Sequence, residues 1–101
     1  MAATPEAKVK AKIKKMLEAE DVYYAMPIGS AFGSSGVPDF LCCVNGFFMA
    51  IEAKANGGKA TALQKKHLQR ITAGGGYAFI IDEENLPHLA IMIRDLKEMK
   101  V

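Results

Sequence analysis

The stretch GVPDFLCCVNGFFMAIEAK, residues 36–54, decides how the rest of this chain can fold. It contains two apolar runs, 40–44 and 47–53, whose composition is typical of buried β-strands. Between them lies Asn45-Gly46, a dipeptide characteristic of the two-residue turn that joins antiparallel strands. The stretch therefore predicts a β-hairpin.

The pairing in this hairpin brings two acidic side chains together. With a two-residue turn, Val44 pairs with Phe47, and without a bulge the pairing continues until Asp39 lies opposite Glu52. Their Cβ atoms would then be roughly 5 Å apart on one face of the hairpin. Lys54 lies two residues beyond Glu52 and therefore shares that face.

Two opposed carboxylates in an otherwise apolar hairpin destabilise it unless their charge is compensated. A divalent cation such as Mg²⁺ or Mn²⁺ is the simplest compensation, because these ions bind carboxylate, water and phosphate oxygens. Lys54 would then place a positive charge beside an attacked phosphate, or orient the attacking water. The alternative is a surface hairpin with solvated acids, in which Lys54 forms a cross-strand salt bridge. The apolar strands around these charges favour the functional interpretation.

Outside the hairpin, hydrophobic periodicity and glycine or proline breaks predict the remaining elements. They are a helix over 5–18, a strand over 22–26, a loop over 27–38, a helix from Thr61 to the glycines at 74–76, a strand over 77–81 and a C-terminal helix over 87–99. Within the last segment, residues 89–93 are also compatible with a strand. The order predicts an α/β fold with one mixed sheet flanked by helices. The length of 101 residues predicts a single domain, 1–101.

Two further polar residues are predicted to turn toward the protein interior. On a helical wheel Glu6 projects toward the side of Val9 and Ile13. Thr61 and Gln64 fit a capping box, which already explains the glutamine structurally. Gln64 nevertheless belongs to the predicted core-facing side of its helix. The other residues predicted on that side are Leu63, His67, Leu68 and Ile71.

Composition and charge indicate the cellular compartment and the kind of partner to expect. The formal net charge is only +2, so the distribution of basic residues is more informative than their number. No apolar stretch is long enough to span a membrane, and no secretory signal is recognisable. Adjacent Cys42 and Cys43 do not suit a disulfide, which favours a reducing cytosol. The basic residues predicted to contact DNA are Lys59, Lys65, Lys66 and Arg70.

The hairpin residues also resemble a known signature. Residues 36–39, followed by Glu52-Ala53-Lys54, resemble the PD-(D/E)XK nuclease motif. That motif alone recurs by chance, but Gly57-Gly58-Lys59, Gln64 and the element order make the match more specific. Residues 6–82 are together similar to the virus-type replication–repair nuclease (VRR-NUC) domain in its stand-alone form. The resemblance implies a PD-(D/E)XK nuclease-like αβββαβ core, here followed by a C-terminal helix.

The resemblance also implies roles for individual residues and a function. A metal-dependent DNA endonuclease is implied, using Mg²⁺ or Mn²⁺, acting on branched DNA such as four-way (Holliday) junctions and working as a homodimer. Its place would be the cytoplasm of a bacterial or virus-infected bacterial cell. The implied site consists of Asp39 and Glu52 as metal-binding acids, Ala53 as a ligand through its backbone carbonyl, Lys54 as the catalytic lysine, and Glu6 and Gln64 as further site residues.

Two other functions are compatible with the residues alone. One is a nuclease-like module that binds DNA without cutting it, and the other is a basic protein that binds RNA or an acidic partner. Intact Asp39, Glu52 and Lys54 argue against the first, because a retired site tends to lose strained acids. The loop at 29–36 is a further hypothetical contact, since backbone N–H groups of such loops can bind phosphate.

Overall fold

The hairpin forms the centre of a four-stranded sheet with helices on both faces. The computed structural model describes residues 3–28 and 36–99. Their elements are α1 (Pro5–Ala19), β1 (Tyr23–Ala25), β2 (Phe40–Val44), β3 (Phe47–Ala53), α2 (Ala62–Ala73), β4 (Tyr77–Ile81) and α3 (Leu86–Glu98). The order and fold class predicted from the sequence are confirmed, with element ends within a few residues.

The sheet is mixed, and its strands lie in the order β1-β2-β3-β4. The β1–β2 and β2–β3 pairs are antiparallel, whereas β3 and β4 are parallel, with α2 as their crossover. The hairpin has the predicted register, in which Val44 pairs with Phe47 and Phe40 with Ile51. Asn45 and Gly46 both have positive φ, as a type I′ turn requires.

One face of the sheet carries the hydrophobic core. Alternate residues of the hairpin, such as Phe40 and Met49, are fully buried there. α1 and α3 cover this face because each has apolar residues at helical spacing. The helix residues buried in this core are Val9, Ile13, Leu17, Leu89, Ile93 and Leu96.

The opposite face is covered only in part. α2 packs there, against the β3–β4 half, and none of its residues is fully buried. Leu63 was predicted to face the core, but it is 43% exposed. It lies instead against Gly36 at the entry to the hairpin. This difference arises because a helical wheel gives the direction of a side chain but not how much of the sheet the helix covers.

The helix ends are held by side chains from nearby and distant positions. Thr4 accepts a hydrogen bond from the Ala7 N–H, with Pro5 in the first turn of α1. The C-terminal end of α3 is held by the hairpin turn: the Asn45 Nδ2 donates to the carbonyls of Leu96 and Met99, at 3.0 and 2.6 Å. None of the helices in the described ranges has the length and apolar character needed to cross a bilayer.

Candidate active site

The structure places Asp39 and Glu52 side by side on the partly covered face of the sheet. Asp39 immediately precedes β2, and Glu52 lies near the end of β3, one register step beyond the Phe40–Ile51 pair. The Asp39 Oδ2 accepts a hydrogen bond of 2.8 Å from the Ala53 N–H. The backbone of β3 therefore fixes the orientation of the Asp39 carboxylate.

Glu52 is the buried charged residue of this site. Only 2% of it is exposed, and no other charged residue in the described parts of the chain is buried. Burial is the main reason that its pKa rises from 4.5 to about 8. The charge and hydrogen bonding of Asp39 and the charge of Glu6 raise the pKa of Glu52 further, whereas Lys54 lowers it. Ionising Glu52 beside an ionised Asp39 therefore costs free energy.

Lys54 brings a positive charge to the two neighbouring acids. Its Nζ is 3.8 Å from the Glu52 Oε2 and 3.9 Å from the Glu6 Oε1. The Lys54 side chain is only 12% exposed. Its ammonium group is therefore largely shielded from solvent and lies near both carboxylates.

α1 contributes two oppositely charged residues to the same site. Glu6 reaches Lys54, as its predicted inward direction requires, although the Glu6 side chain is 42% exposed. Lys10 lies one turn later, and its Nζ is 3.2 Å from the Asp39 Oδ1. Sequence reasoning missed Lys10. The available signal was its i+4 spacing from Glu6, which places both residues on one helical face.

The Gln64 side chain makes one hydrogen bond with each end of its amide. Its Oε1 accepts from the Thr61 N–H at 2.9 Å and completes the capping box of α2. Its Nε2 donates to the Glu52 Oε2 at 3.1 Å. The start of α2 is therefore tied directly to the buried carboxylate.

The donor set fits a hard divalent cation that retains water or phosphate ligands. Within 3–28 and 36–99 there is no cluster of three or more His, Cys, Asp or Glu side chains suited to an ion. A cation here would therefore use Asp39, Glu52 and the predicted backbone carbonyl of Ala53. One or two carboxylates supplemented by water and phosphate are typical of Mg²⁺ sites. The raised pKa of Glu52 indicates that its ionised form is destabilised, and a bound positive ion would stabilise that form.

The basic residues predicted to contact DNA lie on the surface around α2. Lys66 and Arg70 border one shallow depression together with Leu63 and His67. Leu63, which borders this depression, immediately precedes Gln64 in α2. The predicted phosphate-binding loop at 29–36 lies outside the described residues except for Gly36. All four basic residues that were predicted to contact DNA are exposed, namely Lys59, Lys65, Lys66 and Arg70.

Two solved structures are similar to this chain over nearly its whole length. One, described as a VRR_NUC domain, has a TM-score of 0.70 and 24% identity, and the match covers 98% of this chain and 100% of that one. Another, described as a VRR_NUC domain protein, has a TM-score of 0.68 and 16% identity, with 95% and 90% covered. No protein-family model and no curated protein matches the chain. The chain therefore has the fold of VRR_NUC domains, as its resemblance to them predicted.

Proposed function

We propose that the protein is a metal-dependent DNA nuclease of the VRR-NUC type. The observation that carries this proposal is the buried Glu52 carboxylate beside Asp39, with the Lys54 ammonium group 3.8 Å from Glu52. A merely structural hairpin gains nothing from burying one acid next to another. Phosphodiester hydrolysis gains both a cation site and a neighbouring positive charge.

In this proposal Asp39, Glu52 and the Ala53 carbonyl hold Mg²⁺ or Mn²⁺. When bound, the ion supplies a Lewis acid that withdraws charge from the phosphodiester. Lys54 binds a non-bridging phosphate oxygen and stabilises the charge that develops there. A water molecule releases a proton to solvent and attacks phosphorus in line; the bond between phosphorus and the 3′ oxygen breaks, that oxygen takes up a proton from solvent, and the product carries a 5′ phosphate.

Glu6 and Gln64 act on the groups that do this work. Glu6 holds Lys54 from the side of α1, which restricts where the ammonium group can go. Gln64 donates to Glu52 and leaves the rest of that carboxylate for the cation. Both are therefore proposed as residues that position the site.

Isosteric substitutions test the activity most directly. Asp39→Asn and Glu52→Gln should each reduce cleavage by at least about a hundredfold, because each removes a negatively charged cation ligand. Asparagine keeps an acceptor for the Ala53 N–H, so loss of fold is a smaller concern than with alanine. The assay uses linear, flapped and four-way DNA with Mg²⁺, Mn²⁺ or a chelator. Glu84→Gln, on an exposed turn, is the matched control.

The outcome also separates the alternative functions. Full activity in either purified site variant would contradict the proposed site. DNA binding without cleavage under any metal condition would instead indicate the binding module. Lys54→Met should lose cleavage but retain measurable cation binding, because Lys54 is not a ligand. Lost cation binding in that variant would assign Lys54 a different role.

We propose that the exposed basic residues around α2 contact the DNA backbone. Each lost phosphate contact lowers the salt dependence of binding by roughly 0.9 in logarithmic slope on duplex DNA. Removing Lys66 and Arg70 should therefore reduce both the affinity and this slope. The control removes Lys8 and Lys12, which are exposed on α1. Equal slopes for the parent and the Lys66/Arg70 variant would make the cluster a solvated surface only.

We further propose that two copies act together on branched DNA. A four-way junction has two symmetry-related strands, and a twofold dimer matches that symmetry. Two large apolar side chains suit such an interface: Tyr23 is 80% and Phe48 is 45% exposed, and both pair in register with Cys43. They form an exposed strip on the sheet face that carries the site. Phe47 and Tyr24, by contrast, pack in part against the core.

Sedimentation and junction cleavage test this proposal separately. The parent should sediment at twice the 10.9 kDa chain mass, and Tyr23→Ser with Phe48→Ser should shift it toward the monomer. Paired incisions in a four-way junction should occur well above the rate for linear duplex. A monomer that cuts both substrates equally would contradict the proposed dimer and junction selectivity, but not the proposed nuclease activity.

A further inference from the structure

The Asp39 carboxylate already has a partner on each oxygen. Its Oδ2 accepts from the Ala53 N–H, and its Oδ1 is 3.2 Å from the Lys10 Nζ. The first partner is a backbone group of β3, which the sheet holds in place. The second is the end of a flexible side chain on α1. A cation that approaches Asp39 therefore meets the Lys10 ammonium group, which has the same sign of charge.

The charges of the whole site show which arrangement is balanced. Without a cation it contains three carboxylates, Glu6, Asp39 and Glu52, and two ammonium groups, Lys10 and Lys54. With all of these ionised, a divalent cation would leave the site with an excess positive charge. Departure of the Lys10 ammonium group restores neutrality. Lys54 is the less suitable group to leave, since its side chain is 12% exposed against 35% for Lys10.

We propose that Lys10 holds Asp39 in the cation-free protein and is displaced when the divalent cation binds, so that Lys10 sets the affinity of the site for that cation. This inference rests on the proposed function, because it requires Asp39 to be a cation ligand. Lys10 is thus a positioning residue that acts through Asp39. Until the ion binds, the positive charge of Lys10 offsets part of the repulsion between Asp39 and Glu52.

Calorimetric titration of the full chain with Mg²⁺ and with Mn²⁺, without DNA, tests the proposal. Lys10→Met retains the aliphatic stem but removes the competing charge, so the Kd should fall by roughly three- to tenfold. Lys10→Gln is measured in parallel, so that poor folding of one variant does not end the test. Lys10→Arg preserves the charge and should bind the cations within about twofold of the parent.

Lys12→Met is the matched control. Lys12 is exposed on α1 and forms no ion pair with the residues that the structure describes, so its loss changes the net charge equally without touching Asp39. An unchanged or weaker affinity in both neutral Lys10 variants would overturn the inference and leave the nuclease proposal standing. If the parent itself binds neither cation, the proposed function fails and this inference fails with it.

Discussion

At the scale of single residues, Glu52 makes the stability of the cation-free protein depend on pH. Its pKa is about 8 in the folded chain against 4.5 for the ordinary side chain. Between these values the folded state binds more protons than the unfolded state. As far as Glu52 determines it, the free energy of unfolding is therefore highest below about pH 4.5 and decreases as the pH rises toward 8.

Glu52→Gln should remove this dependence. The parent should lose at most about 1.4 kcal/mol of unfolding free energy per pH unit from Glu52 in that range. The variant should have a flatter profile and exceed the parent in stability near the upper end. Denaturant unfolding in chelator at several pH values measures the difference, with Glu84→Gln as the exposed control. Parallel profiles for the parent and Glu52→Gln would contradict the assigned pKa.

Gln64→Glu separates the two tasks of the Gln64 side chain. A glutamate retains an oxygen for the Thr61 N–H, so the capping box can persist. It also replaces the donor to Glu52 with a further acid, which should lower the unfolding free energy of the cation-free protein by about 1–2 kcal/mol at neutral pH. Gln69→Glu, exposed on the same helix, is the control. Equal thermal stability of the two variants in chelator would mean that the Gln64–Glu52 bond contributes little.

How much of the site was predictable follows from how each residue is placed. Asp39, Glu52 and Lys54 follow from strand alternation once the turn is known, because register fixes the face of every hairpin residue. Glu6 and Gln64 follow from helical wheels. The wheel also places Lys10 on the face of Glu6, but it does not predict Asp39 as the partner of Lys10, because that depends on how α1 lies across the end of the sheet. That angle is set by core packing, which no local pattern contains.

At the scale of elements, Gly36 fixes the distance between the hairpin entry and the start of α2. Its φ is +88°, and a Cβ there would lie 2.9 Å from the Cγ and from the backbone carbon of Leu63. Since the start of α2 carries Gln64, this close approach helps to bring the amide to Glu52. A side chain at position 36 would push the helix away from the site.

Gly36→Ala should therefore destabilise the protein by more than backbone strain alone. Gly57→Ala is the matched control, because Gly57 has φ +73° but nothing within 4 Å of an added Cβ. The control should cost about 1 kcal/mol, and Gly36→Ala about 2 kcal/mol or more. Denaturant unfolding of both variants gives the comparison. A cost at position 36 no greater than at position 57 would show that the contact with Leu63 relaxes freely.

The turn at Asn45-Gly46 shows the limit of prediction at this scale. The dipeptide predicts the hairpin from its backbone conformation alone, and both positive φ values agree. It does not predict that the Asn45 amide also donates to carbonyls at the end of α3. That second role joins positions some fifty residues apart, and only the tertiary arrangement of α3 on the sheet creates it.

At the scale of the whole molecule, the two faces of the sheet are covered unequally. α1 and α3 bury six apolar residues in one core, whereas α2 buries none completely and spans only the β3–β4 half of the other face. The proposed cation site lies on the weakly covered face. Its geometry therefore depends on the sheet for Asp39 and Glu52, and on a lightly held helix for Gln64.

Such a helix should open more readily than the rest of the fold, in a local fluctuation that leaves the sheet intact. Backbone amides in the middle of α2 should exchange with deuterium at least about tenfold faster than those of β2 and β3. Mass spectrometry of peptides after timed labelling measures this directly, and α3, of similar length, is the internal control. Equal protection of α2 and β3 would contradict it. Each opening would withdraw the Gln64 amide from Glu52, so the site would be dismantled and rebuilt many times within the lifetime of one folded molecule.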